Sequence, residues 1–247
     1  MTIFAANWKM HHGPAAGRDL VRSVLGRVRP REGRTLLFFP PAVSLAAVAS
    51  EVAGRADCAA GIQNIYFEPK GAFTGEVSAP IAAQAGAKWC LVGHSERRHK
   101  FGESDAETAK KVRAAFEAGL LPMLCVGEKL EEREAGGTEG VVLRQLEAGL
   151  AGLDAASVAS MVIAYEPVWA IGTGVNATPR DAAAVHRTIR AWMRDHTPAG
   201  AGINVMYGGS VSAKNCVELL AEPELDGVLV GGASLEADSW VMICEAR

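Results

Sequence analysis

The sequence predicts a (β/α)8 barrel, in which eight parallel strands are each followed by a helix and the helices surround the strands. Eight short apolar runs recur along the 247 residues, and segments of helical character separate most of them. Strict alternation of strand and helix predicts a parallel sheet, either doubly wound or closed into a barrel. Eight units in this length fit the barrel best. Because no Ser- or Pro-rich linker divides the chain, we expect one domain spanning residues 1–247.

Each predicted strand is an apolar run bounded by turn or polar residues, which is typical of a strand covered on both faces. The eight predicted strands are Ile3–Ala6, Thr35–Phe39, Asp57–Ile62, Trp89–Val92, Leu121–Val126, Met161–Tyr165, Ile203–Tyr207 and Val228–Val230.

The predicted helices carry apolar residues at helical spacing or recognisable ends. From Leu20 to Val28 the apolar residues recur with the i, i+3, i+4 spacing of one buried face. Thr178 and Pro179 provide an N-cap and a first-turn proline, and Gly119 can end the helix before the fifth strand. The predicted helices are Gly17–Val28, Val43–Ala53, Asp105–Ala118, Gly140–Leu150, Pro179–Arg194 and Ala213–Leu220.

The composition and net charge of the chain indicate a globular protein that binds neither nucleic acid nor membranes. Hydrophobic residues make up 49% and charged residues 21% of the chain, as in ordinary globular proteins. The formal net charge of −3 is spread along the chain, so no basic surface for nucleic acid or membranes is indicated. Since the chain has neither a long apolar run nor a signal-peptide pattern, we expect a soluble, cytoplasmic protein.

The cysteines indicate neither a disulfide framework nor a zinc site. They are odd in number, dispersed and free of any CxxC spacing, which fits a reducing compartment in which each is a small core residue. They are Cys58, Cys90, Cys125, Cys216 and Cys244.

Chemically active residues follow five of the predicted strands, and a barrel gathers all strand ends at one rim. The last two strands end in Gly-rich turns, where backbone N–H groups at helix starts can bind phosphate. The residues delivered to the rim are Asn7 and Lys9 after the first strand, His94 and Ser95 after the fourth, Glu166 after the sixth, Gly208-Gly209-Ser210 after the seventh and Gly231-Gly232 after the eighth.

This set of residues indicates proton transfer at carbon. A carboxylate such as Glu166 can remove a carbon-bound proton only if electrophiles stabilise the enediolate that forms. His94 and Lys9 are candidates for that role. The chain has no Cys/His metal cluster and no G-x-G-x-x-G pattern after its first strand. We therefore expect cofactor-free and metal-free chemistry on a small phosphorylated substrate.

The connection from Gln63 to Ala79 is unusually long, and long loops in compact domains tend to be functional. Its Gly71–Gly75 core includes Phe73, an apolar side chain that a solvated loop does not favour. A partner surface explains Phe73 better than contact with water does.

At these positions the chain closely resembles the triosephosphate isomerase family. The matching segments occur in the family's order and extend from residue 7 to residue 234. Any one of them could arise by chance, but the ordered set is highly specific. They are Asn7–Met10, Gly71–Val77, Gly93–Arg98, Cys125–Glu128, Ala164–Gly174, Tyr207–Val211 and Gly231–Ser234.

The resemblance implies interconversion of dihydroxyacetone phosphate and glyceraldehyde 3-phosphate, in glycolysis and gluconeogenesis, by a homodimer without cofactor. It implies that Glu166 shuttles the proton and that His94 polarises the carbonyl as a neutral imidazole, as described for that family. Lys9 would bind the substrate and offset its charge, with Asn7 beside it. Ser95, Glu96 and Cys125 would support these catalytic groups.

The resemblance also assigns the phosphate contacts and a lid. Phosphate would be bound by backbone amides of Gly172, Ser210, Gly231 and Gly232. The lid would comprise Pro167, Val168, Trp169, Ala170, Ile171, Gly172, Thr173, Gly174 and Val175. Many family members carry Lys where this chain has Val175, so lid opening rates can differ here.

The resemblance places the dimer contact in the long third loop. Thr74, next to Phe73, would reach the partner's active site and help to hold Lys9 and His94 there.

Two other functions compete with this interpretation. Another phosphate-binding barrel enzyme, such as an epimerase or a tryptophan-pathway enzyme, would share the Gly-rich turns but not Glu166 with His94 and Lys9. A non-catalytic barrel scaffold would have no need of all three. Taken alone, His94 is more often a structural histidine and Lys9 a solvated charge, so the assignment depends on their combination. His11, His12, His99, His186 and His196 are expected to be structural or at the surface.

Overall fold

The apolar runs form a closed barrel of parallel strands whose neighbours follow chain order from the first strand to the eighth. The computed structural model describes residues 1–171, 177–198 and 200–246. The barrel prediction is confirmed, and the strand bounds differ from the predicted ones by no more than one residue at either end. The strands are β1 (Thr2–Asn7), β2 (Arg34–Phe39), β3 (Cys58–Ile62), β4 (Trp89–Val92), β5 (Leu121–Val126), β6 (Val162–Tyr165), β7 (Asn204–Tyr207) and β8 (Gly227–Val230).

Helices lie between the strands, and the longer ones match the predicted segments. Thr178 caps the helix that starts at Pro179, and Gly119 (φ 74°) follows the end of the helix before β5, both as predicted. The helices are α1 (Pro14–Leu25), α2 (Leu45–Val52), α3 (Ala79–Gln84), α4 (Ser95–Lys100), α5 (Asp105–Glu117), α6 (Leu130–Glu134), α7 (Thr138–Leu150), α8 (Ala155–Ser160), α9 (Pro179–His196), α10 (Cys216–Ala221) and α11 (Ala237–Cys244).

Two predicted helices, which correspond to α1 and α10, begin three residues away from the predicted position for local reasons. The first helix begins three residues early because Pro14 occupies its first turn, and it ends at Leu25 although Val28 is still buried. The segment predicted from Ala213 begins only at Cys216, because the Asn215 side chain accepts from the Ser212 amide and forms a turn there. The helices with no predicted counterpart have eight residues or fewer, too few for a clear periodicity.

The strands are buried on both faces, which explains why their sequences are continuously apolar. Along β1, Ile3 and Ala5 point into the barrel, whereas Phe4 and Ala6 pack against the surrounding helices. The inner layer fills the barrel with side chains from every second residue. Its buried members are Ile3, Ala5, Leu37, Phe39, Leu91, Met123, Cys125, Val162, Ala164, Met206 and Leu229.

Closure between the first and last strands depends on a glycine. Gly227 begins β8 and pairs with Ile3 of β1. A Cβ atom at Gly227 would overlap the carbonyl oxygen of Ile3, which is backbone and cannot rotate away. A side chain at this position would therefore strain the pairing that closes the barrel.

A membrane-spanning helix needs about 20 consecutive apolar residues. Within the described ranges, no helix has enough consecutive apolar residues to cross a bilayer.

We predict that Gly227→Ala destabilises the protein by about 1–3 kcal/mol, because the added methyl group forces β1 and β8 apart. The matched control is Gly140→Ala on α7, where a Cβ meets nothing within 4 Å. That change should stabilise the protein by about 0.4–1 kcal/mol through the entropy of the unfolded chain. Urea unfolding midpoints measure both effects, and equal midpoints for Gly227→Ala and the parent would contradict the prediction.

Candidate active site

A cavity of about 280 Å³ opens at the carboxyl ends of the strands. It brings together Asn7, Lys9, His94 and Glu166, which lie up to 159 residues apart in sequence (166 − 7). Of the other predicted site residues, Gly172, Thr173, Gly174 and Val175 lie outside the described residues. The cavity is lined by Asn7, Lys9, His94, Glu166, Ile171, Gly208, Gly209, Ser210, Val211, Leu229, Gly231, Gly232 and Ala233.

The carboxylate of Glu166 is 2% exposed, and its two oxygens have different surroundings. Oε2 accepts a hydrogen bond of 2.7 Å from the backbone N–H of Ser95. Oε1 lies 3.1 Å from His94 Nε2, but no well-aligned hydrogen bond reaches it from the described residues. One oxygen is thus fixed, and the other is buried with unused lone pairs, which suits a proton acceptor.

Two glycines leave room for this carboxylate. The backbone of Gly127 passes directly against the Glu166 carbonyl group, so that a side chain there would overlap it. A Cβ at Gly208 would lie 2.8 Å from Glu166 Cγ. The Glu166 amide also donates to the Val126 carbonyl, which continues the β5–β6 pairing by one residue. The strands therefore fix the backbone of Glu166, and the glycines define the space for its side chain.

His94 caps the N-terminus of α4 with its own ring. Its Nδ1 atom accepts a hydrogen bond of 3.2 Å from the backbone N–H of Glu96. A backbone N–H can only donate, so Nδ1 carries no proton, and the proton of the neutral ring lies on Nε2. Nε2 lies 3.1 Å from Glu166 Oε1 and 3.1 Å from Asn7 Nδ2; the Asn7 nitrogen is itself a donor, so its contact with Nε2 is not a hydrogen bond in this tautomer. His94 therefore presents an N–H donor at the cavity wall.

Lys9 reaches the cavity through an unusual backbone conformation. Its φ of 50° lies in the left-handed region, which costs energy for a residue with a side chain. Asn7 Oδ1 accepts from the Lys9 amide at 3.0 Å, and Gln63 Nε2 donates to the Lys9 carbonyl at 2.8 Å. Both side chains hold the conformation in place. The sequence did not single out Gln63, although it is the first polar residue after β3 at the same rim.

The ammonium of Lys9 is held by an acid from α4. Nζ donates to Glu96 Oε1 at 2.9 Å and passes Gly231, whose missing side chain leaves the space for it. Burial opposes ionisation of Glu96, but the hydrogen bond and charge of Lys9 outweigh it and lower the pKa of that carboxyl. Lys9 and Glu96 are each about a third exposed, so we assign their ion pair an orienting role rather than a large stabilisation.

The turns at Ser210 and Gly232, which also line the cavity, suit an anion. Gly232 begins a short 3₁₀ helix, and no hydrogen bond from its amide or from that of Ser210 is found among the described residues. Ser210 is oriented by its Oγ, which donates to the Ala170 carbonyl at 2.6 Å, and by Asn215, which donates to its carbonyl. Free amides at a helix start bind phosphate or carboxylate groups.

Cys125 lies next to the site but is fully buried in the barrel interior. Burial raises the pKa of its thiol well above the usual value, and the nearby Glu166 charge raises it further. Cys125 therefore packs as a thiol beneath Glu166.

Within residues 1–171, 177–198 and 200–246, no group of three His, Cys, Asp or Glu side chains is arranged to hold a metal ion.

The described part of the predicted lid is anchored by Glu128. This residue ends the segment Cys125–Glu128, and the sequence analysis assigned it no role. Glu128 is fully buried, and its carboxylate accepts from Tyr165 Oη at 3.1 Å and Trp169 Nε1 at 2.8 Å. Its carbonyl accepts from the Val168 amide at 3.0 Å. Residues Val168–Ala170 form a 3₁₀ turn directly after Glu166-Pro167.

Thr74 and Phe73 do not reach the cavity of their own chain. Both lie on an exposed loop, where Phe73 packs on Tyr66 at a centroid distance of 4.6 Å. Beside the site, a second cavity of about 510 Å³ shares Asn7, Lys9 and His94 with the first. Met10 and Phe101 also line the second cavity, and they are 94% and 66% exposed.

Comparison with known proteins relates this geometry to one family. The model of the triosephosphate isomerase family matches residues 2–247. The chain is 50% identical over 245 residues to triosephosphate isomerase of Thiobacillus denitrificans, covering 99% of this chain and 97% of that one. It is 47% identical over 246 residues to the Symbiobacterium thermophilum protein of the same name, covering 99% and 96%. The crystal structure of triosephosphate isomerase from Bartonella henselae superposes with a TM-score of 0.89 at 38% identity, covering 99% and 98%.

We predict opposite tautomers for the two buried histidines. His94 should carry its proton on Nε2, since Nδ1 accepts from an amide. His186 should carry it on Nδ1, since that atom lies 3.1 Å from the Glu224 carbonyl oxygen, which can only accept. Burial lowers the pKa of His186 to about 3, so that this ring stays neutral in mildly acidic buffer. Ring ¹⁵N NMR distinguishes the two forms, and a proton on Nδ1 of His94 would contradict the assignment.

Proposed function

The chain belongs to the triosephosphate isomerase family, and we propose that Glu166, His94, Lys9 and Asn7 carry out the family's reaction in it. The reaction interconverts dihydroxyacetone phosphate and D-glyceraldehyde 3-phosphate, the aldose–ketose isomerisation of glycolysis and gluconeogenesis. The observation that carries the assignment is the unpaired Oε1 of Glu166 beside the Nε2 atom of His94 in one cavity.

Glu166 acts as the carbon base. Oε1 takes the proton from C1 of dihydroxyacetone phosphate and returns it to C2 of the enediolate, which gives the aldehyde. Because Ser95 fixes only Oε2, the other oxygen is available for this transfer. The nearly complete burial of the carboxylate removes competing water from it.

His94 stabilises the charge that develops on oxygen. Its Nε2–H can donate to the carbonyl oxygen of the substrate and then move protons between O1 and O2. The Glu96 amide holds the ring in this tautomer, so no reorientation is needed during the reaction. Asn7, whose Nδ2 lies 3.1 Å from Nε2, completes the polar wall.

Lys9 offsets the negative charge of the phosphorylated substrate. Its ammonium lies between Glu96 and the glycine turn at Gly231. The phosphate group binds the amides of Ser210, Gly231 and Gly232, with Gly172 completing the contact from the connection after β6. Closure of residues 167–175 over the substrate excludes water and suppresses loss of phosphate from the enediolate.

The protein acts as a homodimer in which Thr74 and Phe73 of one chain fill the second cavity of the other. The support is the position of this cavity, which borders Asn7, Lys9 and His94 and is flanked by the exposed side chains of Met10 and Phe101.

Residues 1–247 act as one catalytic unit, since strands from β1 to β8 contribute to the site. The five free thiols fit the reducing cytoplasm.

We predict that Glu166→Gln lowers kcat by about 10²–10⁴-fold, because an amide of the same shape cannot accept the proton. A coupled assay of isomerisation in both directions measures the effect. The control is Glu134→Gln, an exposed acid on α6, which should leave kcat unchanged. Near-normal turnover in Glu166→Gln would exclude this base.

We predict that Thr74→Arg weakens dimerisation by at least about tenfold and lowers activity at low protein concentration, because a charge would be forced into the second cavity. Val217→Arg, at an exposed apolar position on α10, is the matched control and should do neither. Gel filtration with light scattering and activity as a function of concentration measure the two effects. A fully active monomer, in either the parent or Thr74→Arg, would refute the role assigned to this loop.

A further inference from the structure

Arg133, on α6, contacts Trp169 in the first part of the connection between β6 and α9, and it contacts Asp181 in the first turn of α9, where the connection ends. This connection starts at Glu166, the proposed base, and runs to the N-cap residue Thr178. One end of it, Pro167–Ile171, lines the site at Ile171. The other end enters α9 at Thr178. No residue of α6 lines the cavity itself, so Arg133 can affect the reaction only through these ends.

At the first end, the guanidinium of Arg133 lies over the ring of Trp169, with 4.4 Å between Cζ and the ring centroid. Trp169 is also held by a hydrogen bond of 2.8 Å that its Nε1 donates to Glu128 Oε1. Arg133 Nη1 also lies 3.7 Å from that same Glu128 oxygen. Arg133 therefore contacts the face of the indole ring, and Glu128 binds the nitrogen at its edge.

At the second end, Arg133 Nη2 donates to Asp181 Oδ1 at 3.0 Å. The other oxygen of Asp181 accepts from the amide and the hydroxyl of Thr178, which closes the capping box of α9. Hydrogen bonds from Thr178 are the main cause of a lowered pKa at Asp181, with Arg133 contributing, so its carboxylate is ionised at neutral pH.

Glu128 explains why an arginine is needed at this point. Its carboxylate is fully buried, and a buried charge is costly unless a cation and hydrogen bonds compensate it. Tyr165 and Trp169 supply the hydrogen bonds, and Arg133 supplies a positive charge. A planar guanidinium can stack on an indole while pairing with two separate acids, which an ammonium cannot do equally well.

From these contacts we infer that Arg133 is a positioning residue for the isomerase reaction, in which it ties the two ends of the connection that carries Glu166 to each other. It joins Trp169, three residues after the base, to Asp181, three residues after the N-cap of the next helix. The inference rests on the proposed function, because the connection matters for catalysis only if it positions Glu166 and contacts the phosphate group of the substrate.

The fate of the enediolate reports on this role. If the phosphate group is poorly held, the C3–O bond of the enediolate breaks and inorganic phosphate leaves with the bonding electron pair. The remaining enol of methylglyoxal then takes up a proton at C3 and loses the proton of its enol hydroxyl, which gives methylglyoxal. Loss of folded enzyme lowers isomerisation and elimination equally, whereas a loosened connection raises the ratio of elimination to isomerisation. This ratio thus separates positioning from general stability.

The experiment measures kcat and KM for dihydroxyacetone phosphate, together with methylglyoxal and phosphate release, in the parent and in three variants. Arg133→Gln should raise KM and increase the elimination ratio by about three- to tenfold. Asp181→Asn, which keeps a capping side chain, should shift the ratio in the same direction. Arg133→Lys keeps the charge but not the stacking, and should lie between the parent and Arg133→Gln.

The control is Arg27→Gln, which breaks another Arg–Asp pair, with Asp238 at 2.6 Å, away from the site. The elimination ratio should then equal that of the parent. An unchanged ratio in both Arg133→Gln and Asp181→Asn would overturn the inference, and if Arg133→Gln does not fold, Asp181→Asn and Arg133→Lys decide it. An inactive parent would instead refute the proposed function, so the two failures are distinguishable.

Discussion

The site depends on the hydrogen bonds donated by the first turn of α4. The Ser95 amide fixes one oxygen of Glu166, and the next amide, of Glu96, fixes the tautomer of His94. These two consecutive N–H groups have no partner within the helix, and they orient the proposed base, Glu166, and the proposed acid, His94. This arrangement needs β4 and β6 in a fixed register, which their shared pairing with β5 provides, because Leu124 pairs with Val92 on one side and with Ile163 on the other. The barrel register is therefore a condition of the chemistry as well as of stability.

Much of this could be predicted from sequence because its signals are local. Strand runs such as Trp89–Val92 are read from continuous apolarity, and Thr178-Pro179 marks the start of α9 through capping physics. Since a parallel barrel collects all strand ends, placing Glu166 and His94 on different strands was enough to predict that they meet. The helices α1 and α10 were misplaced where a proline and a hydrogen bond to the Asn215 side chain moved the start by three residues.

What sequence could not provide are side-chain partners that lie far apart in the chain. Lys9 pairs with Glu96 across 87 residues, and Arg133 pairs with Asp181 across 48. Gln63 binds the carbonyl of Lys9 across 54 residues. No spacing rule connects such pairs, because the barrel geometry alone decides which polar groups face one another. The same limit explains why Glu128 received no role: its burial becomes apparent only when Tyr165 and Trp169 are placed around it.

The backbone strain at Lys9 shows how stability and function are balanced in this fold. A left-handed conformation at a residue with a side chain costs about 1–3 kcal/mol. A glycine would avoid that cost but would deliver no cation to the cavity. The structure instead compensates this cost with hydrogen bonds at both ends of the residue: the Lys9 amide donates to Asn7 Oδ1, and Gln63 Nε2 donates to the Lys9 carbonyl. Asn7 thereby has two duties, because the same side chain also faces His94 Nε2 through its nitrogen. Replacing Asn7 would thus disturb the position of the Lys9 ammonium and the surroundings of His94 together, whereas replacing Gln63 would remove the hydrogen bonds to the carbonyls of Lys9 and Phe39.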